Sequence, residues 1–373
     1  MKQQELGIYI HIPFCKSKCY YCDFVSYPNQ SDMMQSYFET VKREINSYDF
    51  KKYNITTIYL GGGTPSFVQE KYIKMILEEI SVDLKKAEIT IEINPGTVSK
   101  EKLQFYKDIG INRISIGLQS VKDNLLKQIG RIHTYKQFLE TYKEAKEVGF
   151  RNINVDLMIG LPNQTIQDIK ETVEEIERLN PTHVSVYSLI VEEGTVLAKQ
   201  LEKGIMSLPE EEIERQMYWY VKNKLELLGY EQYEISNYAK KGQKSLHNWN
   251  CWGQKEYIGI GVAAHSYKDG VRYANTDDLA TYIKSDFISN QRIVEEVQTL
   301  DEKKKEFMLL GLRKIEGVSI SAFKKKFVDN PIFLYRKELE ELVSDNLIVI
   351  DGDFIRLTSR GLDFANLVWE KFI

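Results

Sequence analysis

Through the first half of the chain, runs in which apolar and polar residues alternate are separated by stretches whose apolar residues return every three or four positions. The alternating runs predict strands over Gly7–Ile12, Ile55–Leu60, Glu88–Ile93, Asn112–Leu118, Asn152–Leu157 and His183–Tyr187. The stretches between them predict helices at about 32–47, 69–84, 100–108, 134–148 and 165–179. Gly110, Gly149 and Asn180-Pro181 each fall between a helical run and the next strand, where helices commonly stop. Six strands joined by helices imply parallel βα units.

The alternation is the informative detail, because parallel strands covered on both faces usually read as continuous aliphatic runs. Here Ile89, Ile91 and Ile93 oppose Glu88, Thr90, Glu92 and Asn94, and Ile153, Val155 and Leu157 oppose Asn152, Asn154 and Asp156. Helices covering the greasy face leave the polar face pointing into a lumen that can hold a hydrogen-bonding ligand. The expectation is an α/β fold, an open partial (β/α)6 TIM-like barrel; a doubly wound sheet is the competing arrangement. Beyond about residue 190 the rhythm stops. A helix near 208–228 leads into a mixed region rich in aromatic residues and glycine, followed by a helix candidate at 276–289. Short helices then precede two strands, Leu347–Ile350 and Phe354–Leu357, around Asp351-Gly352-Asp353, and a last helix near 359–371. That order suggests a small winged-helix-like α+β domain. The expected division is a barrel over 1–190, a connecting region over 191–298 and the C-terminal domain over 299–373.

Composition changes the picture only by exclusion. With 50 Lys and Arg against 54 Asp and Glu, the net charge of -4 offers no general field for nucleic acid. The runs Lys303-Lys-Lys305 and Lys324-Lys-Lys326 read as solvated helix faces rather than a DNA-binding surface. No segment has the uninterrupted apolar length of a membrane span, and the first residues lack the pattern of a secretory signal, so a cytoplasmic protein is expected.

The four cysteines carry the chemistry. Three stand as Cys15-x-x-x-Cys19-x-x-Cys22 directly after the first strand, on the face where βα barrels bind ligands. Three thiolates can hold a [4Fe–4S] cube and leave its fourth iron for a small chelating molecule. A zinc site completed by His11 is the alternative. Gly61-Gly62-Gly63-Thr64-Pro65 follows the second strand, where consecutive glycines let backbone groups approach a ligand; alone, it reads as a tight turn.

Taken together, the cysteine motif and the glycine motif resemble the radical S-adenosylmethionine superfamily. Tyr9-Ile-His-Ile-Pro-Phe-Cys15, Glu92-Ile-Asn-Pro95, Ser115-Ile-Gly-Leu-Gln119, Asp156-Leu-Met-Ile-Gly-Leu-Pro162 and Leu357-Thr-Ser-Arg-Gly361 resemble its oxygen-independent coproporphyrinogen III oxidase group. The resemblance implies a cluster on Cys15, Cys19 and Cys22, with Tyr9, Tyr21, Gly62, Gly63, Thr64, Glu92, Gln119, Arg131 and Asp156 around S-adenosylmethionine or a second ligand beside it. Spacing alone reads Arg131 as surface charge.

Phe24 stands where the resembled oxidases carry a fourth cysteine, and only 14 residues precede Cys15. His247-Asn-Trp-Asn-Cys-Trp252 instead resembles the His-Asn-x-x-Tyr-Trp motif of the HemW-type haem chaperones, with Cys251 at the tyrosine position. That resemblance implies haem, haem-accepting protein partners and His247, with His265 a weaker candidate, as haem ligands. The oxidase activity is the alternative function, and a catalytic residue is not assigned. Self-association as a homodimer is left open. Read from the residues alone, His247 fits equally a buried histidine inside an aromatic cluster.

Overall fold

The computed structural model describes residues 3–80, 82–287 and 292–373. Its six βα strands are β1 (Gln4–Ile12), β2 (Tyr53–Gly62), β3 (Glu88–Ile93), β4 (Arg113–Gln119), β5 (Asn152–Ile159) and β6 (His183–Ser188). They pair in parallel in that order. The helices on the outer face are α1 (Met34–Asn46), α2 (Glu70–Glu79), α3 (Lys100–Asp108), α4 (Asp123–Gln128), α5 (Tyr135–Val148) and α6 (Ile166–Leu179). Capping explains their limits. Thr134 with Gln137 and Thr165 with Asp168 form capping boxes, while Gly149 and Asn180 close the same two helices in the left-handed conformation.

The alternating strands behave as their pattern requires. Ile8, Ile10, Ile58, Leu60, Ile91, Ile114, Ile116 and Val155 are all fully buried against the helices. Removing such apolar surface from water is the main stabilisation of the barrel, at roughly 1.5–3 kcal/mol per large side chain. The opposite faces bring Glu88, Arg113, Asn154 and His183 into the lumen, also buried.

Further on come α7 (Val196–Glu202), α8 (Glu211–Leu227), β7 (Glu231–Gln232), β8 (Asn237–Ala239), α9 (Leu246–Trp252), β9 (Tyr257–Ile260), β10 (His265–Lys268), β11 (Val271–Ala274), α10 (Leu279–Ile283) and β12 (Ile293–Val297). The region expected to be mixed therefore contains most of a sheet extension. β9 pairs in parallel with β1, and β8 pairs antiparallel with β6, giving a twelve-stranded sheet ordered β12-β11-β10-β9-β1-β2-β3-β4-β5-β6-β8-β7. The barrel stays open, because β1 and β6 take these other partners rather than each other. The helix expected at 276–289 is one short helix, α10; Asp278 caps it, and its last expected positions, 288 and 289, lie outside the described residues.

The C-terminal part has α11 (Leu300–Gly311), β13 (Val318–Ser319), α12 (Ile320–Phe327), α13 (Pro331–Leu334), α14 (Arg336–Ser344), β14 (Ile348–Asp351), β15 (Phe354–Leu357), α15 (Ser359–Asp363) and α16 (Ala365–Trp369). The expected hairpin forms, with Gly352 at positive φ in its turn, and β13 adds a third strand. The expected last helix is broken at Phe364 into α15 and α16. A separate core of Met308, Phe323, Phe327, Leu339, Ile355 and Phe372 holds this unit. Asp363 ties it to α8, accepting from Arg215 and from Trp219 Nε1 at 2.8 Å each. Among the described residues no helix is long and apolar enough to cross a membrane.

Candidate functional site at the strand ends

β1 delivers Cys15 to the carboxyl end of the barrel, and the loop that follows is pinned at several points. Thr64 N donates to Phe14 O and Gly63 N to Ile12 O, both at 2.9 Å, so the glycine motif lies directly on the base of the cysteine loop. The glycines are dictated by contact. A Cβ on Gly62, which has φ +108, would sit 2.5 Å from the His11 ring, and one on Gly63 would sit 2.8 Å from the Pro13 carbonyl carbon. On the far side Tyr20 N donates to Ile129 O and Leu197 N to Tyr20 O, while Tyr20 and Tyr21 pack against Leu125, Ile129, Met158 and Leu197.

A cavity of about 390 Å³ opens between these elements. Cys15, Cys19, Cys22, Tyr21, Gly62, Gly63, Thr64, Glu92, Gln119, Arg131 and Asp156 all line it. Eleven of the expected site residues thus share one space. Tyr9 is beside it rather than on its wall: its hydroxyl meets His11 Nδ1 at 3.0 Å, and His11 Nε2 meets Val25 O at 2.8 Å. With both ring nitrogens engaged by the fold, His11 is not turned toward the cysteines, which removes the zinc shell that needed it.

Several of the groups that line the cavity are titratable and deeply buried. Burial pushes the Cys15 thiol up, and burial with neighbouring Cys19 pushes Cys22 up to about 11. Thiolates here therefore require positive charge close by. Arg131 supplies part of it: Nη1 lies 3.6 Å from Cys19 Sγ, and Nη2 donates to Gly117 O at 3.2 Å. The reading of Arg131 as surface charge is overturned, because Gly117 lacks the Cβ that would have met the guanidinium at 2.4 Å. Thr64 Oγ1 donates to Cys15 Sγ at 3.4 Å. Burial, then the nearby Asp156 charge, pushes Glu92 up to about 7, while Tyr59 donates to it at 2.9 Å. Asn94 Oδ1, Gln119 Oε1 and Arg131 Nε are buried without partners, and Gln119 is held at φ +62. Unpaired buried polar atoms are costly, so acceptors and a donor left waiting around one cavity suit a polar ligand.

These features fit the implied groups. The three cysteines would hold the cluster, and the glycine backbone with Glu92, Gln119, Arg131 and Asp156 would meet an amino acid and a ribose. Periodicity missed the aromatic members, Tyr59 and Tyr187, because tyrosine in a strand reads as ordinary sheet residue.

The two candidate haem ligands are elsewhere. His247 lies at the amino end of the barrel, its Nδ1 2.9 Å from Thr57 Oγ1 and its ring 5.3 Å from that of Tyr59. Thr57 precedes Gly62 by five strand residues, about 17 Å along β2, and Tyr59 stands between, its ring beside His247 and its hydroxyl on Glu92 of the cavity. Burial, then Arg113, pushes His247 down to about 4, leaving a neutral imidazole. Glu88 explains the placement: its carboxylate accepts from Leu246 N at 2.9 Å and His247 N at 3.2 Å, a cap on α9 supplied by the barrel. Trp249 and Trp252 remain half-exposed on α9, with Lys244 and Lys314 at 4.6 and 4.2 Å from the first ring and Arg313 at 4.3 Å from the second. His265 is exposed on β10, its Nδ1 3.0 Å from Glu295.

Kinship agrees with this construction. A model described as the Radical SAM superfamily matches residues 9–176, and one described as the HemN C-terminal domain matches 298–364. The heme chaperone HemW of Lactococcus lactis is 38% identical over 100% of this chain and 98% of its own. That of Bacillus subtilis is 39% identical over 98% of each, and that of Escherichia coli 32% identical over 100% and 99%. The solved Escherichia coli coproporphyrinogen III oxidase, HemN, superposes with a TM-score of 0.86 at 21% identity, covering 100% of this chain and 90% of that one.

Proposed function

Because the chain belongs to the HemW family within the radical S-adenosylmethionine superfamily, we propose that it is a haem chaperone, binding haem and delivering it to haem-requiring proteins. The observation that carries the cofactor half of this reading is the single cavity shared by three cysteines, the glycine motif and Glu92, Gln119, Arg131 and Asp156. Cys15, Cys19 and Cys22 would hold a [4Fe–4S] cluster, which when bound supplies one electron to S-adenosylmethionine and an open iron for its amino acid end. Arg131 balances thiolate charge, Glu92 and Asp156 accept from cationic or hydroxyl groups, and the apolar packing around Tyr20 and Tyr21 keeps water from the loop.

For haem, the outer face of α9 is the favoured landing surface. Trp249 and Trp252 would offer flat apolar area once Lys244, Lys314 and Arg313, which now lie over their rings, swing aside, and those cations would then meet the propionates. His247 faces the barrel interior, so iron ligation by it requires α9 to turn that ring outward. The working location we assign is the cytoplasm.

The test is a haem titration of anaerobically reconstituted protein, with wild type and His247→Ala compared by absorbance and by haem retained through desalting. Retention by wild type supports the chaperone, and loss in the variant supports the ligand. No retention by either sinks the assignment; anaerobic decarboxylation of coproporphyrinogen III would then identify an oxidase.

A further inference from the structure

The two functional motifs sit at opposite ends of the barrel, yet an unbroken series of hydrogen bonds joins them through its interior. At the cavity end, Asn154 Nδ2 donates to Asp156 Oδ1 at 2.7 Å. Asn154 Oδ1 lies 2.6 Å from His183 Nδ1, and His183 Nε2 lies 2.8 Å from the Tyr233 hydroxyl. That hydroxyl in turn accepts the backbone N–H of Ser245, the residue immediately before α9, at 3.3 Å.

The series has a direction. Asn154 presents its carbonyl oxygen to His183, because its amide nitrogen is committed to Asp156 and, at 2.7 Å, to Ser115 Oγ. Nδ1 of His183 must then carry the proton, leaving Nε2 to accept from Tyr233. Burial and the nearby Arg113 hold the imidazole far below its ordinary pKa, so the ring keeps one donor and one acceptor. Every donor points from α9 toward Asp156. Chains polarised one way strengthen together in a low-dielectric interior. Asn154, His183 and Tyr233 are each at most 3% exposed, so water does not short-circuit them.

Resting on the reading of the cavity as the S-adenosylmethionine site, we infer that His183 and Tyr233 are positioning residues that couple Asp156 to α9, so that cofactor binding firms the helix carrying the His247 motif. A ligand that fixes the Asp156 carboxylate in one orientation also fixes the acceptor that Asn154 meets, and that ordering passes through Asn154, His183 and Tyr233 to the first turn of α9. The other anchor of that turn, Glu88, lies outside the series and is unaffected. Haem affinity and cofactor affinity are then linked reciprocally.

The experiment is hydrogen–deuterium exchange of the full-length, cluster-reconstituted protein with and without S-adenosylmethionine, binding being followed separately by equilibrium dialysis. In wild type, the cofactor should slow amide exchange across residues 245–252 by about fivefold or more, a coupling of ordinary size. Tyr233→Phe, which keeps the ring and removes the hydroxyl, should bind the cofactor and lose the slowing. Tyr230→Phe, which removes another buried hydroxyl bonded to Pro181 O at 2.6 Å, should keep it. Cofactor binding without any change at 245–252, or an undiminished change in Tyr233→Phe, overturns the inference alone. Failure of wild type to bind the cofactor overturns the cavity assignment and the inference with it.

Discussion

His247 and Thr57 are hydrogen-bonded at 2.9 Å inside the amino end of the barrel, which makes the first residue of the His-Asn-x-x-x-Trp motif part of the core. Replacing it should therefore cost stability before haem is considered. His247→Ala leaves a cavity and an orphaned threonine hydroxyl, and we expect about 2–4 kcal/mol of destabilisation in haem-free protein by denaturant unfolding. Thr57→Val should cost less, about 1–2 kcal/mol. Equal stability of His247→Ala and wild type would contradict this placement.

Each of Cys15→Ala, Cys19→Ala and Cys22→Ala should abolish retention of iron and acid-labile sulfide after anaerobic reconstitution, with circular dichroism unchanged. Thr64→Val, which removes the hydroxyl on Cys15 Sγ, should keep the cluster but make it easier to lose to a chelator. A variant lacking any one cysteine that still holds a full complement of iron would refute the ligand set.

Gly62→Ala forces a side chain onto the His11 ring in a left-handed conformation that itself costs about 1–2 kcal/mol. The expected result is loss of S-adenosylmethionine binding in equilibrium dialysis together with a lowered melting temperature. Wild-type binding by this variant would show that the motif is only a turn.

Glu92 has its carboxyl pushed up to about 7, so below that pH the free protein must give up a proton before offering a charge to a cationic ligand. Affinity for S-adenosylmethionine should rise with pH up to about 7, by at most about tenfold per unit, and level off above it. Glu92→Gln should bind weakly and flatten the profile. A wild-type profile already flat between pH 5.5 and 8 would remove Glu92 from the site.

Glu44, on α1, is fully buried and accepts from Gly261 N, Asn275 Nδ2 and the Tyr282 hydroxyl. Burial pushes it up to about 7 from an ordinary 4.5. Its folded pKa is raised, so its contribution is fullest below 4.5 and is lost as pH climbs to 7, by about 3 kcal/mol in the limit. Chemical denaturation should show that loss in wild type and its absence in Glu44→Gln.

The barrel was legible because each of its strands states its own two faces. Ile89, Ile91 and Ile93 against Glu88, Thr90 and Glu92 is a local pattern, and it gives both the core side and the lumen side. The cavity was legible for a similar reason: Cys15 and Gly62 follow strands, and loops at strand ends are where such barrels bind ligands. What stayed hidden depends on distant contacts. Tyr257–Ile260 is too short to announce itself as a partner of β1, and α9 is too short to reveal that its first turn is capped by Glu88 from 158 residues away. Spacing alone left Arg131 as surface charge because its place at the cavity depends on the missing side chain of Gly117, and only the family resemblance put it in the site. Glu44 left a trace that was passed over, a carboxylate on the same helical stripe as Tyr37, Val41 and Ile45.

The pairing of β9 with β1 sets an order in time. Gly7 meets Tyr257, so on a ribosome adding about 5–20 residues per second the outer edge of the first strand stays bare for roughly ten seconds to a minute after it emerges. Until then the strand leading to the cysteine loop is an unfinished edge, open to wrong pairing. Gly261 also packs against His11 O so closely that a Cβ there would lie 2.7 Å away, making the base of that loop among the last places to settle. The strand leading to the cysteine loop is thus completed only after Tyr257 has been made, and the nascent protein is most exposed to aggregation while that bare edge waits for its neighbour.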